Sequence, residues 1–100
     1  MESKISKQTA DAEWQAILAR TIRIRAQARE LASKDRPMRF RHPDGTPQIV
    51  TKSTDTPGEW RTTWFNKAGE PTGHTEWRTA YEAFFDCLVH GFVPIESSQS

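Results

Sequence analysis

The sequence predicts an α+β fold, a two-layer sandwich in which a long N-terminal helix and a short C-terminal helix cover one face of a three- or four-stranded antiparallel sheet. Three observations predict it. Residues 9 to 34 contain neither Gly nor Pro. The middle of the chain breaks into short β-branched and aromatic runs separated by Pro, Gly, Asp and Asn. The last third holds an apolar segment bounded by a helix start signal and a helix stop signal. A length of 100 residues accommodates one domain with one modest core.

The first helix rests on Thr9-Ala-Asp-Ala-Glu-Trp-Gln-Ala-Ile-Leu-Ala-Arg, a run of strong helix formers. Thr9 is placed as its cap, with Asp11 and Glu13 in the first turn, where the helix dipole favours carboxylates. At about 100° per residue, Trp14, Ile17, Leu18, Thr21, Ile24, Ala28, Leu31 and Ala32 share one broad face, and Arg20, Arg23 and Gln27 lie opposite. Arg25 interrupts the apolar face. It either snorkels to the edge, pairs with a carboxylate or serves a contact surface. Asp35-Arg36-Pro37 ends the helix, because the residue before proline is pushed out of the helical region.

Extended runs follow at Met38–His42, Gln48–Lys52 and Glu59–Phe65, with Thr72–Trp77 as a short fourth strand. The period of two puts Trp60, Thr62 and Trp64 on one face and Arg61, Thr63 and Phe65 on the other. Asn66-Lys-Ala-Gly69 reads as a hairpin loop with its glycine in a left-handed conformation. Pro43, Pro47 and Pro71 confine the neighbouring strands to edges or ends.

The second helix is predicted from Ala80 to Val89. Thr79-x-x-Glu82 has the form of a capping box, and Gly91 and Phe92 fit a Schellman stop reinforced by Pro94. Ala80, Ala83, Phe84, Cys87 and Leu88 form its main apolar face, with Tyr81 and Phe85 beside it. So wide an apolar girth is either packed on both sides or is a partner surface, including a homodimer seam. Residues 1–8 and 96–100 are expected to fray.

The composition, 35% hydrophobic with a mean hydropathy of -0.77, is that of a polar globular domain. No apolar run approaches the roughly 18 residues needed for a membrane span, and the N-terminal stretch lacks the apolar core of a signal peptide. A cytoplasmic protein is expected. The lone Cys87 excludes an intramolecular disulfide, in keeping with a reducing compartment. The net charge of +1 conceals an asymmetry: residues 1–41 carry +5 and residues 42–100 carry -4. Two faces of opposite sign, or ends that neutralise each other, satisfy that distribution equally.

No catalytic constellation is visible, and no enzyme activity is expected. Cys87 falls near the C-terminal end of its helix, where the dipole raises a thiol pKa rather than lowering it. Cys87-x-x-His90 is the sole metal-like pair, with His42 and His74 elsewhere, so neither metal nor cofactor is expected. Nucleic-acid binding is the alternative function. Arg39 and Arg41 project from one side of a strand, and Arg20, Arg23 and Arg29 add basic charge on the first helix. The α-β-β-β-α order resembles the double-stranded-RNA-binding domain, yet Thr79-Ala-Tyr-Glu82 stands where that family carries its lysine cluster.

Trp60-Arg-Thr-Thr-Trp-Phe-Asn-Lys-Ala-Gly69 as a central hairpin and Thr79-Ala-Tyr-Glu-Ala-Phe-Phe85 as a closing helix give the chain a second likeness. It resembles the small phage-encoded anti-CRISPR proteins directed at type I-F surveillance complexes. The resemblance implies stoichiometric binding to the crRNA-guided complex, blocking target DNA hybridisation or nuclease recruitment. That family has no common motif, so the contact residues follow from charge and exposure instead. A DNA-binding groove presents lysines and arginines, which Asp44, Asp55, Glu59, Glu70 and Glu76 complement, with Trp60 or Trp64 as anchors. In the opposite arrangement, Arg20, Arg23 and Arg29 meet an acidic protein surface.

Overall fold

The computed structural model describes residues 2–95, with side chains from Asp11 onward. Its elements are α1 (Glu2–Ser33), β1 (Met38–Arg41), β2 (Pro47–Lys52), β3 (Trp60–Phe65), β4 (Pro71–Trp77), α2 (Ala80–Val89) and β5 (Val93–Ile95). Strands β1 to β4 form an antiparallel meander, and β5 pairs with β1, giving the order β4-β3-β2-β1-β5. The expected α+β architecture holds, with one strand more than the sequence indicated. Pro94 reads as a stop signal, but it sits in an edge strand opposite Phe40, where its missing N–H is tolerated.

Helix α1 starts at Glu2, well before the expected cap at Thr9. Nothing between these residues breaks a helix, so the helix propagates through Thr9. The tail at 96–100, expected to fray, lies outside the described residues. Asp35 terminates the helix with φ 50°, and its N–H donates to the carbonyl of Ala32 at 3.1 Å. A short side chain tolerates this left-handed conformation better than most.

Register defines the two faces of the sheet. Met38, Val50, Thr62 and Thr75 align across one row of the inner face, while Arg39, Ile49, Thr63 and His74 align on the outer face. Both helices cover the inner face. Phe84 of α2 lies at the centre, with its ring 5.8 Å from Phe40 and 6.0 Å from Trp60. Ala83, Cys87 and Leu88 of α2 join Val50, Met38 and the α1 residues Ile24, Ala28 and Leu31 in one core. Tyr81 and Phe85 stack on each other and pack against that core, so the wide girth of α2 is used within the chain. Trp77, half-buried, donates its Nε1–H to Thr62 Oγ1 at 3.0 Å, satisfying a hydroxyl that is otherwise shut off from water.

The ends of α2 follow from their residues. Thr79 Oγ1 accepts from the N–H of Glu82 at 3.2 Å. Its hydroxyl donates to Glu82 Oε1 at 3.1 Å in place of the reciprocal backbone bond of a full capping box. At the other end Gly91, with φ 89°, donates to Leu88, and Phe92 donates to Cys87, completing the Schellman motif.

Among the described side chains of α1, only those of its last third join the core. Residues 11–20 are all exposed, including Trp14 at 60% and Leu18 at 42%. The apolar stripe therefore continues beyond the surface available to receive it.

Because Phe84 touches both Phe40 and Trp60, Phe84→Ala is expected to lower unfolding free energy by about 3–5 kcal/mol. Urea denaturation followed by tryptophan fluorescence measures this, with an unchanged slope marking a pure stability effect.

Candidate partner interface

A cleft of about 460 Å³ opens at the end of the sheet where the β1–β2 turn, the end of β3 and the last turn of α2 converge. Its β1–β2 wall is a tight turn from His42 to Thr46. His42 N–H donates to Thr46 O at 2.9 Å, and Gly45, with φ 95°, donates to His42 O at 2.8 Å. Asp44 Oδ1 accepts from the N–H of Thr46 at 2.8 Å. That backbone bond, helped by the nearby His42 ring, holds the Asp44 carboxyl below its ordinary value of 3.8. Neutral His42 accepts the N–H of Asp44 at Nδ1 (3.2 Å), and the protonated ring faces Asp44 Oδ1 at 3.1 Å through the same nitrogen.

The α2 wall consists of Asp86 and His90, one turn apart. His90 Nδ1 lies 2.8 Å from the backbone carbonyl of Asp86 and 3.4 Å from its carboxylate Oδ1, so this nitrogen faces two acceptors of the same residue. Phe92 closes the inner side and meets His42 edge-on at 5.2 Å. A Cβ at Gly91 would sit 3.5 Å from His42 Nε2, in ordinary contact with the ring, so the helix stop lies directly against this wall of the cleft.

The floor and the open side come from the sheet. Gln48 is 5% exposed, lines the cleft, and has an Oε1 with no hydrogen-bond partner. An unmatched buried amide oxygen costs on the order of 1–3 kcal/mol, which marks the position as an exception in an otherwise satisfied core. Trp64 lies on the same face as buried Trp60 but beyond the reach of α2, and remains 45% exposed. The cleft thus sets the Asp44 carboxylate, and the Asp86 carboxylate 3.4 Å from His90 Nδ1, next to an open indole face, with buried Gln48 beneath them.

The structure divides the acidic residues expected to contact a partner. Asp44 and Trp64 line the cleft. Glu70 lies in the hairpin at the same end of the sheet, held by Asn66 Nδ2 at 3.1 Å. Asp55 and Glu76 lie at the other end, each 2.6 Å from Arg61 Nη2. Glu76 first, and then Asp55, raise the pKa of this guanidinium, so both carboxylates are matched within the chain. Glu59, half-buried, precedes β3. Trp60 is 6% exposed and belongs to the core, so of the two proposed anchors only Trp64 is presented.

The basic residues separate as well. Arg39 and Arg41 project from the outer face of the sheet, whereas Arg20 and Arg23 border a groove between α1 and the end of α2. Arg20 Nη2 donates to Val89 O at 3.3 Å. Arg29 is exposed on α1, and no single basic patch unites the five.

Sequence reasoning passed over Gln48, Asp86 and Phe92. Gln48 had a legible signal, since it is a polar residue two positions from Val50 on the inward face of its strand. Asp86 and Phe92 reach the cleft only through tertiary packing.

Among the described residues no group of three or more His, Cys, Asp or Glu converges to hold a metal ion, and no helix is long and apolar enough to cross a membrane. Burial, with a smaller contribution from the Asp86 charge, pushes the Cys87 thiol up to about 12. No protein-family model, curated protein or solved structure matches the chain.

The native state holds the Cys87 proton more tightly than the unfolded chain does. Its contribution to stability is therefore complete below the ordinary thiol value of 9.0 and is lost as pH rises from there toward about 12. A disulfide-exchange reagent should leave Cys87 unmodified in the native protein near neutral pH and label it rapidly in denaturant. Rapid labelling of the folded chain would contradict the burial.

Proposed function

We propose that the protein is a non-enzymatic inhibitor that binds a basic surface of a protein partner and takes a lysine or arginine side chain into the cleft beside Trp64. One observation carries the reading: the Asp44 and Asp86 carboxylates and the open Trp64 ring line the same cavity. An arginine there would place its donors against these acceptors and its planar face against the indole. Such a cation–π contact contributes about 0.5–2 kcal/mol, and Trp and Arg are the residue types that dominate binding hot spots.

The resemblance to anti-CRISPR proteins supports one class of target. A crRNA-guided type I-F complex lines its DNA path with lysines and arginines, and a ligand with acidic turns around an aromatic anchor is complementary to such a path. In this reading the protein is phage-encoded, works in the bacterial cytoplasm, and prevents target DNA binding or nuclease recruitment by occupancy. The division of the arginines between two sides of the molecule gives less support to the nucleic-acid alternative, which calls for one continuous positive surface.

The test is a pull-down of purified type I-F complex with the tagged protein, followed by competition with target DNA. Binding that is reduced tenfold or more by Trp64→Ala is expected, since tenfold corresponds to about 1.4 kcal/mol. Asp86→Asn, which removes the charge and keeps the shape, should weaken the complex by a similar factor without unfolding the chain. Failure to recover the complex, or full binding by both variants, would exclude this target and this site. Direct DNA or RNA binding that falls steeply with salt would favour the alternative instead.

A further inference from the structure

We infer that the free half of α1 is a self-association surface on which a second copy of this chain docks its own α1 antiparallel, about a two-fold axis passing next to Leu18. The observation behind it is a stripe that the fold leaves uncovered. Asp11, Trp14, Leu18, Ile22 and Arg25 all fall within about 40° of Leu18 around the helix. All five are exposed, with Ile22 at 65% and Trp14 at 60%. The stripe is turned away from the line of Ile24, Ala28 and Leu31 that packs into the core. A partner helix on it therefore lies beside the domain without displacing α2.

The order of residues along the stripe selects the occupant. Trp14 and Ile22 stand four residues to either side of Leu18, and Asp11 and Arg25 stand seven to either side. Antiparallel pairing about Leu18 sets Leu18 against Leu18, Trp14 against Ile22 of the second copy, and Asp11 against its Arg25. At a rise of about 1.5 Å per residue each charge lies roughly 10 Å from the axis, on a level with its opposite. Neither Asp11 nor Arg25 has an ion-pair or hydrogen-bond partner among the described residues. The arginine that interrupts the apolar face thus gains a carboxylate, twice per dimer. Parallel pairing in register would instead put Arg25 against Arg25 and Asp11 against Asp11.

Three large apolar side chains and one ion pair per chain form a contact at the small end of specific interfaces, so the dimer is reversible, with dissociation on the order of micromolar. Sedimentation over a concentration series should show a monomer–dimer equilibrium for the unaltered chain. Asp11→Arg and Arg25→Asp should each weaken it roughly tenfold, and the two reversals combined should restore it to within about threefold, as only a direct pairing does. Leu18→Cys should cross-link under mild oxidant into a disulfide dimer, because facing helices about 8–10 Å apart bring the two Cα atoms at the axis within disulfide range. Arg23→Cys, on the opposite side of the helix, should not. The unaltered chain is the blank, since its own thiol is buried. A chain that stays monomeric throughout, a doubly reversed variant no tighter than either single one, or equal cross-linking at residues 18 and 23 would overturn the inference.

Discussion

The contact of Phe84 with Phe40 and Trp60 is the constraint from which the rest of the arrangement follows. It seats one ten-residue helix over the middle of the inner face. Such a helix is about 15 Å long, whereas five strands extend about 19 Å from edge to edge and six-residue strands run about 20 Å. A single short helix cannot close that area. The chain covers part of the shortfall with the end of α1 and leaves the remainder open.

The cleft and the exposed stripe of α1 both originate in that shortfall. At the far end of β3 the inner face carries Trp64 beside the last turn of α2 rather than beneath it, and the cleft forms there, walled by Asp86 and His90. On α1, the core has room for Ile24, Ala28 and Leu31 but not for the apolar residues that precede them. An incomplete second layer therefore supplies a concave polar–aromatic site and a convex apolar stripe, on different elements, without any strained backbone in either.

Local signals were legible where the chain solves a local problem. The Thr79 cap and the Gly91 stop give α2 its boundaries to the residue, and the alternation of β3 assigns Trp60, Thr62 and Trp64 to one face. What the sequence does not contain is the length of cover. Trp60 and Trp64 have the same period and the same side of the same strand, yet one is 6% exposed and the other 45%, because α2 reaches only the first. The same holds for α1, whose apolar face looks uniform in sequence but is buried only near its end. Strand β5 was hidden because proline is a poor strand residue in general and an acceptable one at an edge. The Arg61 pairing that occupies Asp55 and Glu76 joins residues from separate elements, so no local signal announces it.

Gly91 ties the two levels of organisation together. Its left-handed backbone ends α2, and it lies against the His42 ring that forms one wall of the cleft, at a distance where a Cβ would touch the imidazole. Asparagine, the usual substitute at such a helix stop, would keep the backbone turn but would place side-chain atoms against the imidazole. A change at residue 91 therefore reaches the cleft through His42 even where α2 still ends in the same place.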